Sequence, residues 1–160
     1  MDEAERWRAI QALHPACFAW ARACAPEDAE DVLQTAYEKI LSGRARFDAR
    51  SSLKTWVFGV IRVTALEHRR SAWRRALRLV PLSREPAAPH DAPPEDASRV
   101  LAALARLSER QRQVLHLVFY EDLTIEEAAR AIGIGLGSAR THYERGKRRL
   151  SELLEEGAER

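Results

Sequence analysis

The chain has 160 residues, 46% hydrophobic and 31% charged, with a formal net charge of +2, a composition that excludes collagenous, low-complexity and disulfide-rich classes. No apolar run approaches the roughly 20 residues that a membrane span needs, and the opening MDEAERWR is acidic where a secretory signal is basic. A cytoplasmic protein without membrane insertion is expected. The charge is unevenly spread: residues 1–43 hold 4 basic and 8 acidic side chains, and residues 44–84 hold 11 and 2. Residues 106–150 are again net basic at +3, so two separate basic segments suggest two polyanion contacts.

Residues 3–24 have helical periodicity, with a break expected near His14-Pro15, where proline lacks an amide hydrogen. Cys17 and Cys24 are seven apart, about 10 Å along a helix axis, too far for an undistorted disulfide. They read as reduced core thiols. A zinc site on His14, Cys17 and Cys24 is disfavoured because no paired CxxC and no fourth ligand is near, so no metal is expected. APEDAEDVLQTAYEKILSG (25–43) then opens with Pro26 and acids in its first turn, sets Val32, Ala36, Tyr37, Ile40 and Leu41 on one side, and stops at Gly43.

After a short loop, SLKTWVFGVIRVTALEHRR (52–70) repeats Leu53, Trp56, Val57, Val60, Ile61 and Thr64 at threes and fours, with Ser51 or Ser52 as N-cap. Lys54, Arg62, Glu67, Arg69 and Arg70 fall elsewhere on the wheel. Reading a single nucleic-acid strand takes cations along the backbone and aromatic groups for unstacked bases. Arg44, Arg46, Arg50, Lys54, Arg62, Arg69 and Arg70 offer the first, and Phe47, Trp56 and Phe58 the second. Trp56 taken alone reads more readily as core than as platform.

Five of the seven prolines fall in LVPLSREPAAPHDAPPEDAS (79–98), where periodicity stops, which marks a linker. The expected fold is all-α: two small helical domains, 1–78 and 99–160, joined by the Pro-rich linker 79–98. In the second domain Ser108 with Gln111 and Thr124 with Glu127 fit capping boxes and mark two helix starts. The first helix carries Val114, Leu115, Leu117 and Val118, and the second Ile125, Ala128, Ala129 and Ile132.

GIGLGS (133–138) could be a phosphate-cradling loop or the bend between two helices. A dinucleotide loop needs GxGxxG after a buried strand, whereas here the spacing is GxGxG after a charged amphipathic helix. A helix-turn-helix needs a short helix with a small central residue, a glycine-containing turn and a second helix. Ala129, Gly133, Ile134 and a helix from about Leu136 or Gly137 to Leu154 supply these. Gly133 is expected as the left-handed C-terminal cap, Ile134 as a core plug, and Gly137 as a point where the chain can come close to another backbone or to phosphate. Leu136, Ala139, Tyr143, Leu150 and Leu153 face inward. Outward, Arg140 suits a guanine edge, with Ser138 and Thr141 reaching bases or phosphate.

With both halves read, the chain resembles the extracytoplasmic-function sigma factors over roughly residues 10–75 and 97–154. DAEDVLQTAY (28–37) is similar to the helix that binds the clamp helices of the largest polymerase subunit. FDARSSLKTWVFGVIRVTALEHRR (47–70) resembles the segment that melts and reads the −10 element, and LARLSERQRQVLHLVFYEDLTIEEAARAIGIGLGSARTHYERGKRRL (104–150) the domain that reads the −35 element. On that resemblance Asp28, Asp31, Gln34 and Glu38 contact core polymerase. Phe47, Arg50, Ser51, Ser52, Lys54, Trp56, Arg62, Val63, Arg69 and Arg70 serve the −10 DNA, and Ser138, Arg140, Thr141, Arg145 and Arg148 the −35 DNA. The implied partners are core RNA polymerase, promoter DNA as −35 duplex and −10 single strand, and an anti-sigma factor, with a monomer when free and no cofactor.

Three positions depart from the family. Thr35 stands where glutamate is usual, Val63 replaces an asparagine able to bond a flipped base, and Ala128-Ala129 replaces an Ile-Ala pair. A stand-alone helix-turn-helix regulator is the competing reading, and it leaves the loop FDARSSLKTW without a task. An enzyme is disfavoured, because the five histidines are scattered and no nucleophile-base pair is apparent.

Overall fold

The computed structural model describes residues 2–77 and 95–158. Those residues form eight helices and no strand: α1 (Glu3–Ala12), α2 (His14–Cys24), α3 (Ala29–Leu41), α4 (Leu53–Ala76), α5 (Glu95–Ala105), α6 (Glu109–Phe119), α7 (Ile125–Ile132) and α8 (Leu136–Ala158). They divide into two compact units, one of α1–α4, the other of α5, α6, most of α7, and α8. No described helix is long and apolar enough to cross a membrane.

Local chemistry sets the helix ends. Asp2 and Glu5 close a capping box at α1, and Leu13 ends α1 and begins α2, with Pro15 in the first turn, at the break the proline required. Gly43 at φ +70° ends α3. Ser52 is the N-cap of α4, its hydroxyl accepting from the Thr55 amide at 3.1 Å.

In the first unit α2, α3 and α4 pack on one another, and α1 packs on α2 and α4. The core is Ile10, Cys17, Trp20, Val32, Ala36, Val57, Phe58, Ile61 and Ala65, all but closed to solvent. Trp20 Nε1 donates to the Phe58 carbonyl at 3.0 Å, and the two rings lie 5.9 Å apart. Lys39 of α3 pairs with Glu67 of α4 and bonds the Thr64 hydroxyl at 3.1 Å. Cys17 and Cys24 are buried and form no disulfide, and His14 is instead on the surface, its Nδ1 3.1 Å from the Tyr37 hydroxyl. Burial first, and then interaction and a hydrogen bond with the Cys17 sulfur, hold the Tyr37 phenol well above its ordinary range, so it stays protonated there.

Several sequence expectations need correction. Leu41 is 59% exposed, because as the last residue of α3 it lies where the chain already turns towards Gly43. Phe58 is core and not a surface aromatic, since α4 is flanked by three helices and buries a broad arc running from Thr55 to Ala65. α5 begins at Glu95, inside the stretch read as linker. The rest of that stretch, up to residue 94, lies outside the described residues. α8 runs on to Ala158, past the expected end at Leu154.

In the second unit α8 packs on α5 and α6 around Ala103, Leu107, Leu115 and Leu153. Both expected capping boxes form, Ser108 with Gln111 and Thr124 with Glu127. Gly133 has φ +73°, and its amide and that of Ile134 bond back to the carbonyls of Arg130 at 3.2 Å and Ala129 at 3.0 Å, a Schellman C-cap. Ile134 is only partly buried, and a Cβ on Gly137 meets no atom within 4 Å, so no protein backbone approaches it.

The close approach lies instead at Gly146, where a Cβ would sit 3.2 Å from Gln111 Cβ and 3.2 Å from Leu115 Cδ1. Gly146→Val is expected to force α8 off α6 at a cost of about 1–3 kcal/mol. Gly146→Ala changes less, since the helix propensity gain of about 1 kcal/mol opposes the crowding. Thermal melts of both variants check this; an unchanged midpoint for valine would mean that the contact is dispensable.

Candidate nucleic-acid interface

Asp28, Asp31, Gln34 and Glu38 recur at threes and fours, which sets them on one side of α3. Asp31, Gln34 and Glu38 are exposed and Asp28 is half-buried. Gln34 Nε2 donates to Glu38 Oε1 at 3.1 Å, a bond along the stripe. Thr35 leaves that stripe: its hydroxyl lies 3.5 Å from His68 Nε2 of α4. The departure from the family glutamate is therefore spent on packing between α3 and α4.

The loop between α3 and α4 is ordered by its own polar groups. Arg44 Nε bonds the Ser42 hydroxyl at 3.0 Å, and Arg46 Nε the Gly43 carbonyl at 3.3 Å. The Asp48 carboxylate accepts from the Arg50 amide at 3.2 Å and pairs with the Arg50 guanidinium at 3.1 Å. Ala49 between them takes a left-handed φ of +58°, a strained choice for a residue with a Cβ. The motif Asp-Ala-Arg, with the acid two residues ahead of the arginine amide, was the available signal for this turn.

Phe47 and Trp56 pair across the loop, centroids 5.3 Å apart and planes at 55°, both half-buried. Trp56 thus joins the loop to α4 while keeping part of its ring open. The two serines separate in role: the Ser52 hydroxyl is engaged in the helix cap, whereas the Ser51 hydroxyl donates to the Ser52 carbonyl at 3.2 Å on the loop surface. Lys54 Nζ lies 5.6 Å from the centroid of the Phe58 ring. Val63 is 53% exposed, and Arg69 and Arg70 are exposed. Arg62 is not: at 3% exposure it shares the side of α4 that carries Phe58 and Ala65, at i−4 and i+3, so its expected place among the surface cations is corrected.

All five candidates on α8 are exposed. At about 100° per residue Ser138, Thr141, Arg145 and Arg148 form one stripe, opposite the buried Ala139, Gly146 and Leu153. Arg140 lies outside that stripe, about 80° round the helix from Arg148. The Thr141 hydroxyl donates to the Gly137 carbonyl at 3.0 Å, one turn back along α8. Arg140→Ala is expected to cost about 1–3 kcal/mol and relax preference at one base pair. Arg148→Ala is expected instead to weaken all sequences alike and to flatten the salt dependence, as loss of a phosphate contact would. Binding titrations of duplexes varied one base pair at a time check both; equal, sequence-independent losses would make Arg140 a phosphate contact.

A four-helix unit whose last helix ends in an exposed basic segment, and a second unit carrying a helix-turn-helix, define a DNA-binding protein of two parts. The family model Sigma-70 region 2 matches residues 9–75, and that of Sigma-70, region 4 matches residues 97–150. The chain is 30% identical over 131 residues to RNA polymerase sigma factor CarQ of Myxococcus xanthus, covering 80% of this chain and 75% of that protein. It is 31% identical over 134 residues to ECF RNA polymerase sigma factor SigF of Caulobacter vibrioides, covering 81% and 72%. Its fold is similar to that of the sigma factor RpoE from Bartonella quintana, solved in complex with the anti-sigma factor NepR, with a TM-score of 0.75, 26% identity and coverage of 92% and 95%. The chain belongs to the extracytoplasmic-function RNA polymerase sigma factors, which bind core RNA polymerase and direct it to promoter DNA.

Proposed function

We propose that this sigma factor binds core polymerase through the Asp28–Glu38 face of α3, reads −35 duplex with the exposed stripe of α8, and captures the melted −10 strand on the loop 47–52 and α4. The observation that carries the reading is the loop itself. Asp48, Ala49, Arg50 and Ser51 are held in one shape by local bonds, beside the partly open Phe47–Trp56 pair. A base leaving the duplex loses stacking worth a few kcal/mol, and only contacts to the extruded base offset that loss selectively. Backbone cations meet every sequence equally. With Val63 in place of a hydrogen-bonding asparagine, the pocket leans on shape and on loop polar groups.

The protein then acts in the cytoplasm, where the polymerase is, and performs no covalent chemistry of its own. Likeness to the RpoE complexed with NepR supports an anti-sigma factor as a further partner.

The test is transcription by purified core polymerase with the full chain on promoter fragments selected from a genomic library, with permanganate footprinting of the −10 region. Ser51→Ala is expected to weaken discrimination among the four bases at one −10 position while leaving thermal stability unchanged. Ser52→Ala instead lowers stability by about 0.5–2 kcal/mol through loss of the cap. Promoters that stay unmelted, or equal binding of all four bases throughout, would reject the pocket.

A further inference from the structure

The last two turns of α4 carry a feature outside the residues assigned so far. Trp73 is 68% exposed and Leu77 is 68% exposed, one turn apart. A tryptophan left that open is unusual unless something covers it. Residues 68–77 read HRRSAWRRAL, with four arginines and no carboxylate. At about 100° per residue, Val63, Arg70, Trp73, Arg74 and Leu77 fall within an arc of about 100° of the helix surface. All five are exposed. The stripe from Val63 to Leu77 runs about 21 Å along the axis at 1.5 Å per residue.

We propose that this stripe is a single-stranded DNA track, with Trp73 the stacking platform for one base and Arg70 and Arg74 the contacts for the flanking phosphates. The proposal rests on the reading that α4 carries the melted promoter strand, and it extends the strand beyond Val63 and Arg70 to the end of the helix. Charge selects the occupant: Arg70 and Arg74 stand on the stripe, Arg69 and Arg75 lie to either side of it, and the acid on that side, Glu67, is paired with Lys39, so the surplus is cationic and suits a polyanion. The indole selects the strand form, since duplex phosphates need cations alone, while unstacked bases need an exposed aromatic face. An anionic membrane fits less well, because an interfacial helix presents a wide apolar face and here three apolar side chains are spread along about 21 Å with arginines between them.

The binding is sequence-tolerant, since every base has a face to stack, so a mixed-sequence oligonucleotide serves as probe. The measurement is the affinity of holoenzyme, formed from core polymerase and the full chain, for a labelled mixed-sequence single strand and for the matching duplex, with core polymerase alone as baseline. Trp73→Ala is expected to weaken single-strand binding about tenfold, within the range for loss of one stacked base, and Trp73→Phe to keep most of it. Arg74→Ala is expected to flatten the dependence of log affinity on log salt by about 0.7, one phosphate's share on a single strand. Both side chains are exposed, so the variants fold, and matching thermal melts establish it.

Unchanged single-strand affinity for Trp73→Ala, with Ser51→Ala still altering base preference, overturns the track and leaves the −10 pocket standing. Wild-type holoenzyme no better than core alone on the single strand overturns both readings. Equal loss on duplex and single strand makes the stripe a duplex contact and overturns the platform. Binding of the full chain to phosphatidylglycerol vesicles that is lost in Trp73→Ala, with DNA affinity intact, overturns it in favour of a membrane surface.

Discussion

Asp31→Lys combined with Glu38→Lys is expected to reduce affinity for core polymerase by about 100-fold, because like charges brought together at an interface cost several kcal/mol. Both carboxylates are exposed on the stripe of α3 proposed to meet the polymerase, away from the Lys39–Glu67 pair that ties α3 to α4. The fold has little stake in either. Asp31 is in the first turn, where a lysine opposes the helix dipole at a cost of about 0.3–1 kcal/mol. Glu38 is in the last turn, where a lysine suits it, and the Gln34–Glu38 bond is a surface contact. Circular dichroism should therefore be unchanged while a core-binding titration moves. Unaltered affinity would remove α3 from the interface.

Trp20→Ala should have the opposite profile, with a folding defect first and loss of polymerase and −10 binding as its consequence. Trp20 is fully buried in α2 and ties to α4 through its bond to the Phe58 carbonyl and its ring contact with Phe58. Truncating a buried tryptophan costs about 3–5 kcal/mol, a large share of the roughly 5–15 kcal/mol that stabilises an ordinary domain. The first unit is expected to unfold at low temperature. The second has its own core and capping boxes and should retain its helices, so the melt becomes biphasic. Trp20→Phe keeps most of the apolar volume and loses the donor, which costs about 0.5–1.5 kcal/mol. A single, unshifted melting transition for the alanine variant would contradict the role assigned to Trp20.

These two variants separate what a helical wheel can and cannot tell. Asp31, Gln34 and Glu38, like Ser138, Thr141, Arg145 and Arg148, are spaced so that the helix period alone collects them on one side. They are polar, so that side faces water. Trp20 and Phe58 are apolar residues that wheel spacing leaves ambiguous, and Phe58 was wrongly read as available to a base. α4 is flanked by three helices, and its buried arc is therefore wider than the apolar stripe of a helix lying on a surface.

The chemistry that acts within a few residues was legible in the sequence: Ser52, Ser108 and Thr124 as caps, Gly43 and Gly133 as left-handed stops, Pro15 as the break between α1 and α2. Each satisfies or denies a backbone hydrogen bond to a near neighbour, so no distant residue is needed to decide it. The tertiary structure alone decided that Arg62 is enclosed, that Leu41 stays in water, that Thr35 turns to His68, and that α8 meets α6 closely at Gly146. Burial is a property of all the surfaces that meet at a point, and those surfaces come from segments tens of residues apart, which no local period encodes.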